Sequence, residues 1–276
     1  MDLSIIGSTS SLGMEELEKH LLKQEQVECP VVHRFGPGVY IREIFMPAGT
    51  IVIGHHHRYA HMNVMLKGEM DIVDDDGCVE TLKAPFTFIA PPGRKTLHIK
   101  EDTVFQNIYA IEETDLDKIE EKLIIKTDLW YDQLACENTK LLESKAKSSE
   151  YEDLLKHLDI TDDQVDLVGE KTCKLVNLPY GSYKIQASNS LVHGRGIFAN
   201  APIESGEEIG PARIEDNVTI LGRYLNHSSS PNATLFIRDS QIMLKAISNI
   251  SGNHGGHLGE EITIDYKVNA FRTEEV

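Results

Sequence analysis

Between about residues 31 and 111 no apolar run is long, and each is soon broken by Gly, Pro or charged residues. The runs are Val39–Phe45, Thr50–Ile53, His61–Leu66, Glu69–Val73, Thr87–Ile89, Leu97–Lys100 and Val104–Ile111. They are too short and too closely spaced for helices that bury a face, so they predict a small antiparallel sandwich or barrel. Short runs return after Cys173, at Tyr183–Ala187, Gly196–Ala199, Glu208–Ile209, Leu235–Ile237, Gln241–Ala246 and Glu261–Tyr266, with Gly, Pro and Asn turns between them. The expected fold is therefore mainly β, in two β-rich parts.

The stretch between those parts has a different texture. An acidic start at Glu112–Asp117 leads into a helical pattern reaching Leu123, and further helices are predicted at Glu150–Leu158 and Thr161–Val168. Glu143–Glu152 is rich in Lys, Ser and Glu and reads as a linker, while Trp130 and Tyr131 form an apolar patch. Leu17, Leu21 and Leu22 predict a short amphipathic helix over 14–26. Four segments are expected: an N-terminal helix or arm (1–30), a barrel (31–112), a helical connector (113–172) and an irregular β domain (173–276). The connector offers a surface for a homo-oligomer.

Charge narrows the partners. The 276 residues carry a formal net charge of −17, which argues against a nucleic-acid or anionic-membrane surface. An acidic chain suits a basic partner such as a lysine-rich protein segment, although acidity also serves solubility alone. No apolar run approaches the roughly 18 residues of a membrane helix. The N-terminus lacks the pattern of a signal peptide. Cys29, Cys78, Cys136 and Cys173 are scattered without a Cys-x-x-Cys pair. Reduced thiols in a cytoplasmic protein are expected.

Five of the 12 histidines fall between residues 55 and 98. Gly49, His55-His56-His57, His61 and Gly68 are followed by Pro91-Pro92-Gly93 and His98. On a strand His55 and His57 share a face while His56 points away, an arrangement that presents two imidazoles to one metal. The spacing resembles the first motif of the cupin family, Gly-x5-His-x-His-x3-Glu-x6-Gly, with His61 in the Glu position. In the second motif Thr96 holds the usual His position, and His98 lies two further on, on the same face. The resemblance implies a double-sheet barrel binding a divalent metal (Zn, Fe, Mn, Ni or Cu) through His55, His57, His61 and His98. A barrel with polar histidine packing and no metal is the alternative.

The last third carries three polar anomalies: Gly194-Arg195-Gly196, Arg223-Tyr224-Leu225-Asn226-His227-Ser228 with Pro231-Asn232, and Gly259-Glu260-Glu261-Ile262-Thr263-Ile264-Asp265-Tyr266. Asn-His in an apolar setting needs hydrogen-bond partners when buried. In this order the three segments resemble the SET domain, the fold of S-adenosylmethionine-dependent protein lysine methyltransferases. The resemblance implies that Gly194, Arg195 and Gly196 let the backbone approach the cofactor, with Arg223, Asn226, His227 and Tyr266 also around it. Tyr266 is implied as the active-site tyrosine, with Tyr224 as a second channel aromatic. The segment between Gly210 and Arg223 is shorter than the family's insert, and no cysteine-rich segment follows Tyr266; Phe271 is a candidate cover for the cofactor.

Three functions are carried forward. The first is methyl transfer to protein lysine by the SET-like domain, beside a metal-binding cupin barrel. The second is a cupin metalloenzyme of dioxygenase or isomerase type with a non-catalytic SET module. The third is a non-catalytic interaction or assembly protein.

Overall fold

A computed structural model describes residues 14–73, 79–126, 173–254 and 258–269. The helices expected at 150–158 and 161–168, the patch at Trp130 and Tyr131, the linker at 143–152 and Phe271 lie outside the described residues. The described residues fall into two compact units. The first is drawn from Met1–Ala135, Tyr180–Ser182 and Asn253–Leu258, the second from Cys136–Pro179, Tyr183–Gly252 and Gly259–Val276.

In the first unit a helix at Met14–Leu21 precedes the strands β1 (Val31–Gly36), β2 (Val39–Met46), β3 (Ile51–Ile53), β4 (His56–His57), β5 (His61–Lys67), β6 (Glu69–Val73), β7 (Val79–Lys83), β8 (Phe86–Ala90), β9 (Thr96–Ile99) and β10 (Thr103–Ala110). A helix at Leu116–Leu123, N-capped by Asp115, leads to β11 (Ile124–Ile125), and Gly181–Tyr183 forms β12. One sheet runs β12-β1-β2-β10-β5-β8 and the other β3-β9-β6-β7. From β2 to β10 the chain alternates between the sheets, only β6 and β7 being consecutive partners, and the pairings are antiparallel. This is the strand order of a double-sheet jelly roll.

Two turns show why the sequence folds this way. Pro37-Gly38 joins β1 to β2 across the pair Gly36↔Val39, with Gly38 at φ 69°, where Pro presets the first turn position and Gly accepts the second. Gly68 joins β5 to β6 at φ 95°, and a Cβ there would stand 2.4 Å from Thr103 Oγ1 and 2.6 Å from the Asp102 carbonyl. The motif glycine is thus a steric requirement of the barrel.

Alternation divides the interior into two halves. Met46, Met65, Met70, Leu82, Ile99 and Phe105 form an apolar core, and burying each contributes about 1.5–3 kcal/mol. Further along the same inward faces come His33, Arg42, Asn63 and Asn107, joined by the pairings His33↔Arg42, Asn107↔Arg42 and Asn107↔Asn63. Beyond these lie Tyr40, Tyr109 and His61. One half of the barrel is sulfur and hydrocarbon; the other is polar.

The second unit contains β13 (Ile185–Asn189), β14 (Arg195–Ala199), β15 (Glu208–Ile214), β16 (Asn217–Val218), β17 (Asn226–His227), β18 (Ala233–Arg238), β19 (Gln241–Ala246) and β20 (Glu261–Ile264). They form two four-stranded sheets, β13-β14-β20-β17 and β16-β15-β19-β18. The last strand enters between β14 and β17, antiparallel to the first and parallel to the second. Ile185, Ile197, Leu221, Leu244, Ile250 and Ile262 are fully buried.

Several expectations shift. β15 continues to Ile214 and turns back as β16, so the short segment before Arg223 is a hairpin arm. Residues 220–223 form a one-turn helix capped by Thr219, and only Asn226 and His227 of the polar stretch are strand. β20 stops at Ile264, and Tyr266 opens a short helix, Tyr266–Asn269.

Candidate functional site

Two of the four candidate metal histidines, His57 and His61, come together. The His57 and His61 rings lie 4.1 Å apart between centroids, tilted by 40°. His57 Nδ1 is 2.8 Å from the Tyr109 hydroxyl, while His61 Nδ1 is 3.2 Å from the Tyr59 carbonyl. His55 is close enough for the His57 charge to act on it. Burial pushes His57 down to about 3, with the charges of His61 and Arg42 assisting. Burial and then Arg42 likewise bring His33 down to about 3, and His55 is held well below its usual range for the same reasons. These rings are therefore neutral at pH 7, the state in which imidazole binds a metal or exchanges hydrogen bonds.

His98 does not join them. Met70↔Ile99 and Ile72↔Leu97 put the apolar side chains of β6 and β9 on the core face, so Asp71↔His98 lies on the opposite face. There His98 Nδ1 sits 3.7 Å from Asp71 Oδ2. Thr96 shares the His98 face, so moving two residues along the strand does not bring an imidazole to the core side. Among the described residues no group of three or more His, Cys, Asp or Glu is arranged to hold a metal ion. The expected four-histidine centre does not fit this arrangement, and no metal-dependent step is derived from it.

In the second unit the three polar anomalies meet at Glu261, a residue the sequence did not single out. Asn226 Nδ2 donates to Glu261 Oε1 at 2.7 Å and to the carbonyls of His193 and Arg195 at 3.1 and 3.0 Å. The Ser190 hydroxyl donates to the same carboxylate at 2.6 Å. Burial raises the Glu261 pKa, against the hydrogen bonds from Asn226 and Ser190 that lower it. Asn232 completes the fastening of β20. Its amide donates to Glu260 Oε1 and the Glu261 carbonyl, and its oxygen accepts from Thr263 N–H at 2.9 Å.

The two glycines separate in role. A Cβ on Gly196 would stand 2.2 Å from Glu261 Oε1 and 3.0 Å from Ser190 Cβ, so this glycine makes room for the carboxylate rather than for a ligand. Gly194 has φ 49° and no heavy atom within 4 Å of where its Cβ would be. Of these two, Gly194 is the one that borders open space.

Arg195 lays its guanidinium over the Tyr224 ring, 4.7 Å from the centroid, a cation–π contact. Arg223 Nη2 donates to the Cys173 carbonyl at 2.9 Å, tying down the incoming segment. His227 Nδ1 accepts from the Tyr266 N–H at 3.2 Å, and the two rings lie 5.3 Å apart. The Tyr266 hydroxyl donates to the Leu225 carbonyl. Burial, with the Glu261 charge second, pushes that hydroxyl up to about 12, so it stays protonated across the physiological range.

No family model matches the sequence, and no curated protein matches it. Solved structures resemble part of it. A cupin superfamily protein from Desulfitobacterium hafniense is 17% identical over 33% of this chain and 85% of its own, with a TM-score of 0.26. An RmlC-like cupin family protein with a double-stranded β-helix fold from Methanocaldococcus jannaschii is 20% identical over 32% of this chain and 86% of its own, with a TM-score of 0.26. An HTH_3 family transcriptional regulator from Vibrio cholerae is 19% identical over 35% of this chain and 61% of its own, with a TM-score of 0.27.

Proposed function

We propose that the second unit is an S-adenosylmethionine-dependent methyltransferase of SET type acting on lysine side chains of proteins. One observation carries this reading. Segments far apart in sequence, Arg195–Gly196, Asn226–His227 and Glu261–Tyr266, are fastened side by side through Glu261, next to an open-sided glycine turn and a tyrosine that cannot ionise near neutral pH.

Bound S-adenosylmethionine supplies an electrophilic methyl group on a sulfonium. The residues present suit such a group at Gly194, whose free side admits a close backbone approach. Asn226 already spends its amide on three acceptors within the protein, so its part is to fix the His193–Arg195 backbone that faces the ligand. A lysine amine, with a pKa of about 10.4, must lose its proton before it attacks. The Tyr266 hydroxyl, its one hydrogen held by the Leu225 carbonyl, turns its lone pairs to the amine and orients it without becoming a nucleophile.

Calorimetry with S-adenosylmethionine on the full chain tests the reading, with transfer of labelled methyl to lysine-containing proteins as the second step. Tyr266→Phe is expected to slow transfer roughly 10²–10³-fold while cofactor affinity holds. Absence of cofactor binding by the folded chain overturns it.

A second reading places chemistry in the first unit and draws on the His57–His61 pair. Metal analysis of protein purified without chelators, with His57→Ala as the control, decides it: stoichiometric metal lost in the variant supports it, and no metal discards it.

A further inference from the structure

We propose that the polar half of the first unit's barrel is a binding site for a small organic carboxylate, with Arg42 as its anchor. The inference is independent of the methyl-transfer reading, which concerns the other unit. Arg42 sits on the inward face of β2, in register with His33 on one side and Asn107 on the other. Both neighbours are buried, at 6% and 7% exposure, yet Arg42 keeps intermediate exposure. Its guanidinium makes no hydrogen bond or ion pair with the described residues, and none of its nitrogens is sealed from solvent. An inward-facing guanidinium that still meets solvent borders an opening in the barrel.

The strands around it supply no counter-charge, although the Glu120 carboxylate reaches Tyr40 and the Glu28 carboxylate reaches Cys29. The inward faces of β1, β2, β10 and β5 carry no Asp or Glu. Glu43, the nearest carboxylate in sequence, points to the other face, where it takes Arg34 and Gln106. Glu120 of the following helix is paired with Lys126 at 3.3 Å. A cation in such a setting is costly unless an anion reaches it. Guanidinium matches a carboxylate through two parallel hydrogen bonds. Asn63 and Asn107, linked at 2.8 Å, and the His57–Tyr109 pair supply neutral polar groups for the rest of the ligand. Ile44, Phe105 and Met65 form the next layer down, which limits the ligand to a small acid.

The test uses the full chain with chelator throughout, so that no metal contributes. Benzoate and succinate are the probes, methyl benzoate is the uncharged control, and chloride matches ionic strength. Saturation-transfer NMR reads binding, and hydrogen exchange of the β2 and β10 peptides reads its place. At least one carboxylate is expected to bind and to protect those peptides, with methyl benzoate at least tenfold weaker. Arg42→Gln should weaken binding about tenfold or more, and Arg42→Lys by less. Thermal unfolding without ligand adds a readout that a purely structural arginine would move the other way: Arg42→Gln should melt no lower than the wild type. The proposal is overturned if neither carboxylate binds, if the ester binds equally well, if Arg42→Gln binds as tightly as wild type, or if that variant melts markedly lower.

Discussion

The two units bury polar groups in opposite ways. In the barrel they gather at one end of a closed double sheet, uncharged apart from Arg42, and several remain within reach of solvent. In the second unit they work as fasteners between strands, and their hydrogen bonds are largely used up inside the protein: Asn226, Asn232 and Ser190 all serve β20, mostly through Glu261. A motif residue in the second unit is therefore first a piece of architecture. What it leaves for a ligand is the open side of Gly194 and the lone pairs of the Tyr266 hydroxyl. In the barrel the neutral polar side chains pair among themselves, His33 with Tyr40, Asn107 with Asn63 and His57 with Tyr109, and the guanidinium of Arg42 is left to meet an anion.

The largest effect expected from testing this contrast comes from Gly68→Ala. Its Cβ meets backbone and side chain at a positive φ, which should cost about 3 kcal/mol or more. Hydrogen-exchange mass spectrometry should show the loss in β5, β6 and β10; equal loss in β14 and β20 would mean that the units do not unfold separately.

Acid should distinguish the units by sign. The folded-state pKa of His33 is depressed to about 3, against roughly 6.5 when unfolded, so the unfolded chain binds more protons between those values. The stability this neutral ring contributes is fully present above pH ~6.5 and falls by up to about 1.4 kcal/mol per pH unit on the way down to pH ~3. His57 adds to the loss in the same window. Glu261 behaves inversely: its folded pKa is raised, so its contribution improves as pH falls through that pKa. Exchange rates measured from pH 7 to pH 4, corrected for intrinsic chemistry, should rise in β1 and β2 before they rise in β14 and β20. The reverse order would remove the electrostatic basis of the comparison.

The smallest expected effect is that of Ser190→Ala. It removes the hydroxyl's hydrogen bond to a carboxylate that keeps Asn226 and the one it accepts from the Val192 N–H, for roughly 1–2 kcal/mol. A drop in urea midpoint confined to the second unit checks it, and an unchanged midpoint would show that water replaces the hydroxyl without loss.

Much of the barrel was legible because Gly and Pro punctuate it. The Pro37-Gly38 turn and Gly68 mark strand ends whose neighbours alternate correctly. β1 was missed because His33 faces inward between Val31 and Phe35, so its alternation does not read as apolar-in, polar-out. β7 was missed because Leu82 is its one buried residue. Among the site residues, the Asn226–His227 pair stood out because its two polar side chains sit in an apolar setting. Glu261 did not, since Glu260-Glu261 at the start of a strand looks like a solvated edge. One signal was available: Gly196, Ser190 and Asn226 all needed a reason, and a shared acidic partner supplies it.

The sequence alone determined that this chain is built from short strands, where several of them must turn, and that Asn226 and His227 needed buried partners. Only the tertiary structure decided which way His98 and Glu261 face. A strand's side chains alternate with a period of two, so a shift of one residue in register exchanges the two faces. The pairing of β17 with β20 was likewise beyond local reading. Parallel neighbours require a long connection, here the β18–β19 hairpin and the loops around it. Contacts made across that distance in the chain leave no periodic trace in either strand.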